Sequence, residues 1–278
     1  MIEILKAVIF GIVEGITEWL PVSSTGHLIL LDEFLELKAT DAFKSMFDVV
    51  IQLGAILAVI VLFFHKLNPF AFKTKTKQER KATWVLWFKV CVAILPSGIL
   101  GVLFDDWMDA HLHNAIVESI ALIVYGIAFI LVERRNEGKY LRAVSDVHDI
   151  GWKTAVLIGC FQALSLIPGT SRSGSTILGA ILLGVGRSAG AEFSFFMAIP
   201  TMLGASAIKL LKFFLETGFG MAGNELTVLV VGMAVSFVVS LLVIKGLMEY
   251  VRKHSFSAFG VYRILLGIVV LGYFMIMG

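Results

Sequence analysis

Six stretches of this chain are almost wholly apolar and close to the roughly 20 residues a helix needs to cross a bilayer. They run from about Phe47 to Phe64, Trp84 to Phe104, Ala115 to Val132, Phe193 to Leu215, Leu226 to Met248 and Phe259 to Met277. With 58% hydrophobic residues and a mean hydropathy of +0.90, the chain reads as an all-α, polytopic integral membrane protein with no soluble domain left to place. Two further apolar stretches, Ile2 to Phe34 and Ala155 to Val185, are interrupted near their middles by proline and small polar residues, which predicts broken helices. The first of these is expected to be mature protein rather than a signal peptide: only Lys6 precedes the apolar run, Glu14 and Glu18 break it, and no small-residue cleavage pattern follows. Cys91 and Cys160 lie in apolar stretches and are expected as buried hydrophobes, with no disulfide or metal role.

Lysine and arginine set the expected orientation. Lys66, Lys73, Lys75, Lys77, Arg80, Lys81 and Lys89 follow the first span, and Arg134, Arg135, Lys139, Arg142 and Lys153 follow the third, so both loops are expected in the cytoplasm. Asp105, Asp106 and Asp109 then fall in an outer loop. The parity closes only if the two broken segments do not cross. Each is then a re-entrant hairpin entering from opposite faces, so that the single membrane domain, residues 1–278, comprises two inverted repeats of about 1–132 and 155–278 joined by a cytoplasmic linker at 133–154. Inverted repeats with broken helices place half-helix N-termini at the midplane, where they favour a bound anion.

The two hairpin tips carry the chemistry. In the first, Glu14 and Glu18 stand four residues apart on one helical face, and oxygen ligands of this kind suit a divalent cation, Mg or Ca, or a general base. Ser23, Ser24 and Thr25 follow Pro21 where hydroxyls commonly cap a helix, and capping alone explains any one of them. His27, three residues beyond Ser24, makes Ser24 a candidate nucleophile with an adjacent base. In the second tip Arg172 offers the planar fork that phosphate recognition uses, amid Gly169, Ser171, Ser173, Ser175 and Thr176. A structural ion pair with Glu14, Glu18 or Glu192 is the bland alternative for Arg172. Glu192, beside Arg187 at a span boundary, reads as an interface residue.

Two familiar phosphate motifs fail. Gly169 to Thr176 has P-loop spacing, but Ser175 stands where the lysine belongs. Ser24 to His27 faintly resembles the Pro-Ser-Gly-His lipid phosphatases, whose companion histidine position is Leu178 here. The match that spans the whole chain is another. Glu14-x-x-x-Glu18 followed by Leu20-Pro21-x-Ser23-Ser24-Thr25-Gly26-His27, with Pro168-Gly169-x-Ser171-Arg172-Ser173-x-x-Thr176, resembles the undecaprenyl-diphosphate phosphatase family of bacitracin-resistance proteins.

The resemblance implies hydrolysis of a polyprenyl diphosphate to the monophosphate, recycling the lipid carrier of cell-wall synthesis. It implies Glu14 and Glu18 as the acidic pair, Ser24 and His27 as nucleophile and partner, Arg172 as the phosphate-binding arginine, and Ser173 and Thr176 as accessory hydroxyls. Ser23, Thr25, Gly169 and Ser171 complete the expected substrate contacts. The partners are the lipid substrate and the bilayer, with no nucleic acid and with room for a homodimer. The expected place is the bacterial inner membrane, the site opening to the periplasmic side. Water in place of Ser24 as nucleophile would leave the sequence unchanged. The other class of reading is a polyprenyl-phosphate flippase or anion transporter, since many transporters share this architecture.

Overall fold

The computed structural model describes residues 1–112, 114–138, 143–218 and 223–277, with the side chains of 105, 106, 109, 110 and 277 excepted. It is helical, in the order α1 (Ile2–Thr17), α2 (Ser24–Leu35), α3 (Asp41–Leu62), α4 (Phe64–Leu67), α5 (Lys77–Leu112), α6 (Ala115–Asn136), α7 (Trp152–Ala163), α8 (Arg172–Leu182), α9 (Arg187–Thr217), α10 (Glu225–Lys253) and α11 (Ser257–Met277). Among the described residues six helices, α3, α5, α6, α9, α10 and α11, are long and apolar enough to cross a membrane, and the protein is a multi-pass membrane protein.

The helices start where the sequence supplies an acceptor for their free N–H groups. Thr40 Oγ1 accepts from Phe43 N to open α3, and Asn114 Oδ1 accepts from Val117 N to open α6. No breaker stands between Phe104 and that cap, so α5 runs past its predicted end. The backbone of Asp105, Asp106 and Asp109 is therefore helical rather than an outer loop, and their side chains, like Lys139 and Arg142, lie outside the described residues.

Both broken segments are helical pairs that fold back to where they began. Lys38 N donates to Glu3 Oε2 at 2.9 Å, which ties the end of α2 to the start of α1. Val144, ahead of α7, donates to Gly184 O at 3.1 Å and accepts from Gly186 N at 2.8 Å just beyond α8. The helices inside these pairs are short. α2 has 12 residues and α8 has 11, so at about 1.5 Å per residue each reaches only partway through a hydrocarbon core of about 30 Å.

The basic segments gather at one end. Arg187 grips Glu133 with Nε and Nη2, Phe256 N donates to the same carboxylate, and Lys66 pairs with Glu192 at 2.6 Å. Lys89 departs from expectation. It is buried in α5 and donates to His148 O at 2.9 Å, so the linker is pinned to the bundle.

Packing joins α1 to α10, α7 to α5, α3 to both α9 and α10, and α6 to α11. Buried apolar side chains form two clusters, one around Trp19, Phe129, Phe195 and Phe196, the other around Phe10, Phe43, Phe47 and Ile51. Cys91 and Cys160 are exposed rather than buried, because apolar helix faces in this protein turn outward to lipid as well as inward. In lipid, helices associate by close backbone approach rather than by hydrophobic exclusion. Gly126 and Gly260 show it: a Cβ on either would stand 2.6 or 2.7 Å from the carbonyl oxygen of the other. Gly126→Val should therefore force α6 and α11 apart, at a cost of about 1–3 kcal/mol, the usual scale of overpacking. Its thermal midpoint in detergent should fall below the parent's; an unchanged midpoint would mean the two helices are not in this register.

Candidate active site

Each tip turns on a serine in the left-handed region. Ser23 (φ 74°) and Ser171 (φ 69°) are the two non-glycine residues with positive φ among those described. That conformation costs about 1–3 kcal/mol and persists where the surroundings enforce it, commonly at functional sites. The enforcement is visible: Ser23 Oγ accepts from Gly26 N and Ser171 Oγ from Gly174 N, so each strained serine caps the helix that follows. Ser24 is consequently the first residue of α2 and Arg172 the first of α8.

The tips meet through Glu18. Ser24 Oγ donates to Glu18 Oε2 at 2.9 Å, and Arg172 Nη2 donates to Glu18 Oε1 at 3.0 Å. Ser173 Oγ reaches back to Glu18 O at 3.1 Å and Leu20 O at 3.3 Å. Arg172 also donates through Nη1 to Ser194 O at 2.8 Å, which leaves its Nε without a partner. Thr176 is turned to Arg172 O and Ser194 Oγ, so it braces Arg172 rather than facing open space. Thr25 is exposed and its hydroxyl makes no hydrogen bond among the described residues, away from the cluster the motif suggested.

His27 is not where the Ser24 spacing suggested. Its Nδ1 lies 2.7 Å from Ser23 O, and its Nε2 lies 2.6 Å from the Tyr262 hydroxyl, with the two rings stacked. A carbonyl only accepts, which puts the imidazole proton on Nδ1 and makes Nε2 the acceptor of the Tyr262 O–H. The Ser24–His27 contact is absent because the i−4 carbonyl and α11 claim both ring nitrogens. The carboxylate in contact with Ser24 is that of Glu18.

Glu14, one turn before Glu18 on α1, is fully buried, and neither of its carboxylate oxygens receives a hydrogen bond. A buried carboxylate without a donor calls for a proton or a cation. Among the described residues no group of three or more His, Cys, Asp or Glu side chains could hold a metal ion. A divalent cation held by Glu14 and Glu18 would draw its other ligands from hydroxyls, carbonyls, water and phosphate oxygens, the coordination common for magnesium on phosphates. The residues present fit such an ion.

The sequence reading missed Arg263. It sits in α11 with no exposed surface, donating from Nη1 to Pro21 O (3.1 Å) and from Nη2 to Gly169 O (2.7 Å) and Thr170 O (2.9 Å). One guanidinium thus spans the backbones of both tips. The available signal was a charge inside an apolar span, which is costly to keep there. Arg263→Lys keeps the charge but loses the fork. Since misplacing reacting groups by about 1 Å costs on the order of 10²-fold, turnover should fall between about tenfold and hundredfold with the Michaelis constant nearly unchanged. Parent-like turnover would show that the tips hold their register without the fork.

The sequence matches a known group of proteins. The family model for the bacitracin resistance protein BacA matches residues 7–269. The chain belongs to the bacitracin resistance protein family. Among curated relatives, an undecaprenyl-diphosphatase of Enterococcus faecalis is 61% identical over 271 residues, covering 97% of this chain and 96% of that protein. One from Limosilactobacillus fermentum is 59% identical over 274 residues, with 99% and 98% coverage. Undecaprenyl-diphosphatase 1 of Clostridioides difficile is 58% identical over 278 residues, with 100% and 98% coverage. Within the bacitracin resistance protein family, then, this chain pairs full-length similarity with a buried Ser–Glu–Arg cluster.

Proposed function

We propose that the chain hydrolyses undecaprenyl diphosphate to the monophosphate and inorganic phosphate, recycling a lipid carrier and so conferring bacitracin resistance. The observation that carries this reading is Glu18 held between Ser24 and Arg172 across the two tips, in a chain that matches named undecaprenyl-diphosphatases over nearly its full length. Glu18 takes the Ser24 proton as Oγ attacks the terminal phosphorus. The Oγ–P bond forms, the bridging P–O bond breaks, and the lipid monophosphate leaves. Water then cleaves the phosphoserine, releasing inorganic phosphate while the proton returns from Glu18 to Ser24. Arg172 Nε and the N–H groups opening α2 and α8 are oriented donors for phosphate oxygens. Glu14 and Glu18 would hold a divalent cation, which would supply charge neutralisation on the diphosphate. His27, held by Ser23 O and Tyr262, positions the Ser23 turn. The Ser24–Glu18 bond favours hydrolysis over a flippase or anion transporter, because transport needs charge compensation but no activated nucleophile.

The inverted repeat of about 1–132 and 155–278 is part of the same proposal. It is supported by packing that exchanges partners between the halves, α1 on α10 against α7 on α5, and by the matching Ser23 and Ser171 caps. The site then opens to the periplasmic side of the inner membrane. Cysteines introduced at Gln78 and Asp41, with Cys91 and Cys160 replaced by serine, should label from opposite sides of the membrane; labelling from one side would overturn the topology.

Phosphate release from undecaprenyl diphosphate by the purified protein in detergent, where no transport is possible, tests the activity. Glu14→Gln should lose most of that release while its extractable yield stays near the parent's. Chelation should silence the parent, with Mg or Ca restoring it. Activity indifferent to chelation would assign Glu14 and Glu18 to proton transfer and Arg172 pairing alone.

A further inference from the structure

The segment between α3 and α5 is held in one shape. Lys75 Nζ donates to Lys66 O, Asn68 O and Thr83 Oγ1 at 3.3, 3.1 and 2.9 Å, and Trp87 Nε1 donates to Leu67 O at 2.8 Å. These bonds frame a cleft of about 470 Å³ whose lining includes Phe64, His65, Phe70, Phe72 and Lys73. Its aromatic walls are not packed away: Phe64, Phe70 and Phe72 are 57%, 62% and 70% exposed.

Lys73 lines the cleft and Arg80 stands beside it. Arg80 lies 4.4 Å over the Phe72 ring, and its guanidinium makes no hydrogen bond among the described residues. Lys73 has no acceptor there either. The neighbouring carboxylate, Glu79 in the first turn of α5, accepts from Thr76 N and Thr76 Oγ1 at 2.7 and 2.8 Å and makes no ion pair with Lys73 or Arg80 among the described residues. Cations beside open aromatic faces, with no carboxylate in ion-pair contact among the described residues, match a phosphate group.

An apolar track leads away from the cleft. Phe70 meets Trp84 edge-on at 5.5 Å, and Trp84 meets Phe88 one turn along α5. Trp84, Phe88, Cys91 and Leu95 are all exposed. Their spacing of four, three and four residues keeps them on one helix face. Headgroup charge at one end and a lipid-facing stripe at the other is the chemistry of one amphiphile.

We infer that this cleft is a specific site for an anionic diacyl phospholipid, its phosphate between Lys73 and Arg80 and an acyl chain along Trp84, Phe88, Cys91 and Leu95. Interfacial lysines and aromatics occur generally as membrane anchors. A general anchor neither discriminates among headgroups nor saturates at one lipid, whereas the proposed site should do both.

The test is native mass spectrometry of the delipidated, full-length protein titrated with phosphatidylglycerol, phosphatidylcholine, undecaprenyl monophosphate or inorganic phosphate. The parent should bind one phosphatidylglycerol in preference to phosphatidylcholine. The Lys73→Gln, Arg80→Gln double variant should bind it about thirtyfold more weakly, from about 1 kcal/mol per basic residue. Phosphate release by the variant in detergent should match the parent, because neither side chain lies near Ser24 or Arg172. Equal phosphatidylglycerol binding by parent and variant would overturn the site. So would undecaprenyl monophosphate or free phosphate binding there as tightly as phosphatidylglycerol, with the same loss in the variant.

Discussion

Ser24→Ala is expected to lower phosphate release on the order of 10³-fold or more, the scale on which removing the nucleophile of a cooperating group disables an enzyme. Ser24 is the first residue of α2, and its hydroxyl already donates to Glu18, so no movement is needed to pass its proton to a base. The capping of α2 belongs to Ser23, which is unchanged in the variant, and the fold should survive with a parent-like yield. Ser24→Cys should retain a small residual rate, since a thiolate still attacks phosphorus. Turnover of Ser24→Ala within about tenfold of the parent would assign the attack to water, with Glu18 as its base.

Arg172→Lys is the second large effect. The guanidinium holds Glu18 with Nη2 and Ser194 O with Nη1, and Nε remains for a phosphate oxygen. A lysine ammonium supplies the charge but cannot hold the same three directions at once. The catalytic rate should fall by about a hundredfold or more, the size of losing one oriented donor, while the Michaelis constant changes less because a point charge still attracts the diphosphate. The measurement is turnover and Michaelis constant in detergent for the Lys and Ala variants. If Lys serves as well as Arg, the residue is a counter-ion for Glu18 and the diphosphate is bound elsewhere.

The membrane spans were legible because lipid demands long apolar runs, and α3, α6, α9, α10 and α11 appear where hydropathy places them, with polar turns added at their ends. The broken helices were legible for a related reason: Pro21 and Pro168 interrupt runs that otherwise carry no breaker. Tertiary competition was not. His27 at three residues from Ser24 has the spacing of a nucleophile and base, but spacing does not reveal that Tyr262, distant in sequence, takes Nε2 while Ser23 O takes Nδ1. Ser23, Ser171 and Thr176 look alike as hydroxyls in a motif, yet two of them cap helices and the third braces Arg172. Arg263 escaped notice for the opposite reason. It stands alone in an apolar span with no polar motif around it, and its meaning lies in three carbonyls from two other segments.

The central claim is that the two tips form one phosphoryl-transfer site, and a double-mutant cycle on phosphate release from undecaprenyl diphosphate tests it most directly. Ser24 lies in the first tip and Arg172 in the second, and the Glu18 carboxylate bonds to both side chains. Residues that act as a unit lose their effect together, so removing both costs about as much as removing one. The expected result is that Ser24→Ala and Arg172→Ala each remove nearly all activity, and that the double variant is no slower than the slower single. Single losses that multiply in the double variant, or near-parent activity of either single, would contradict a shared site.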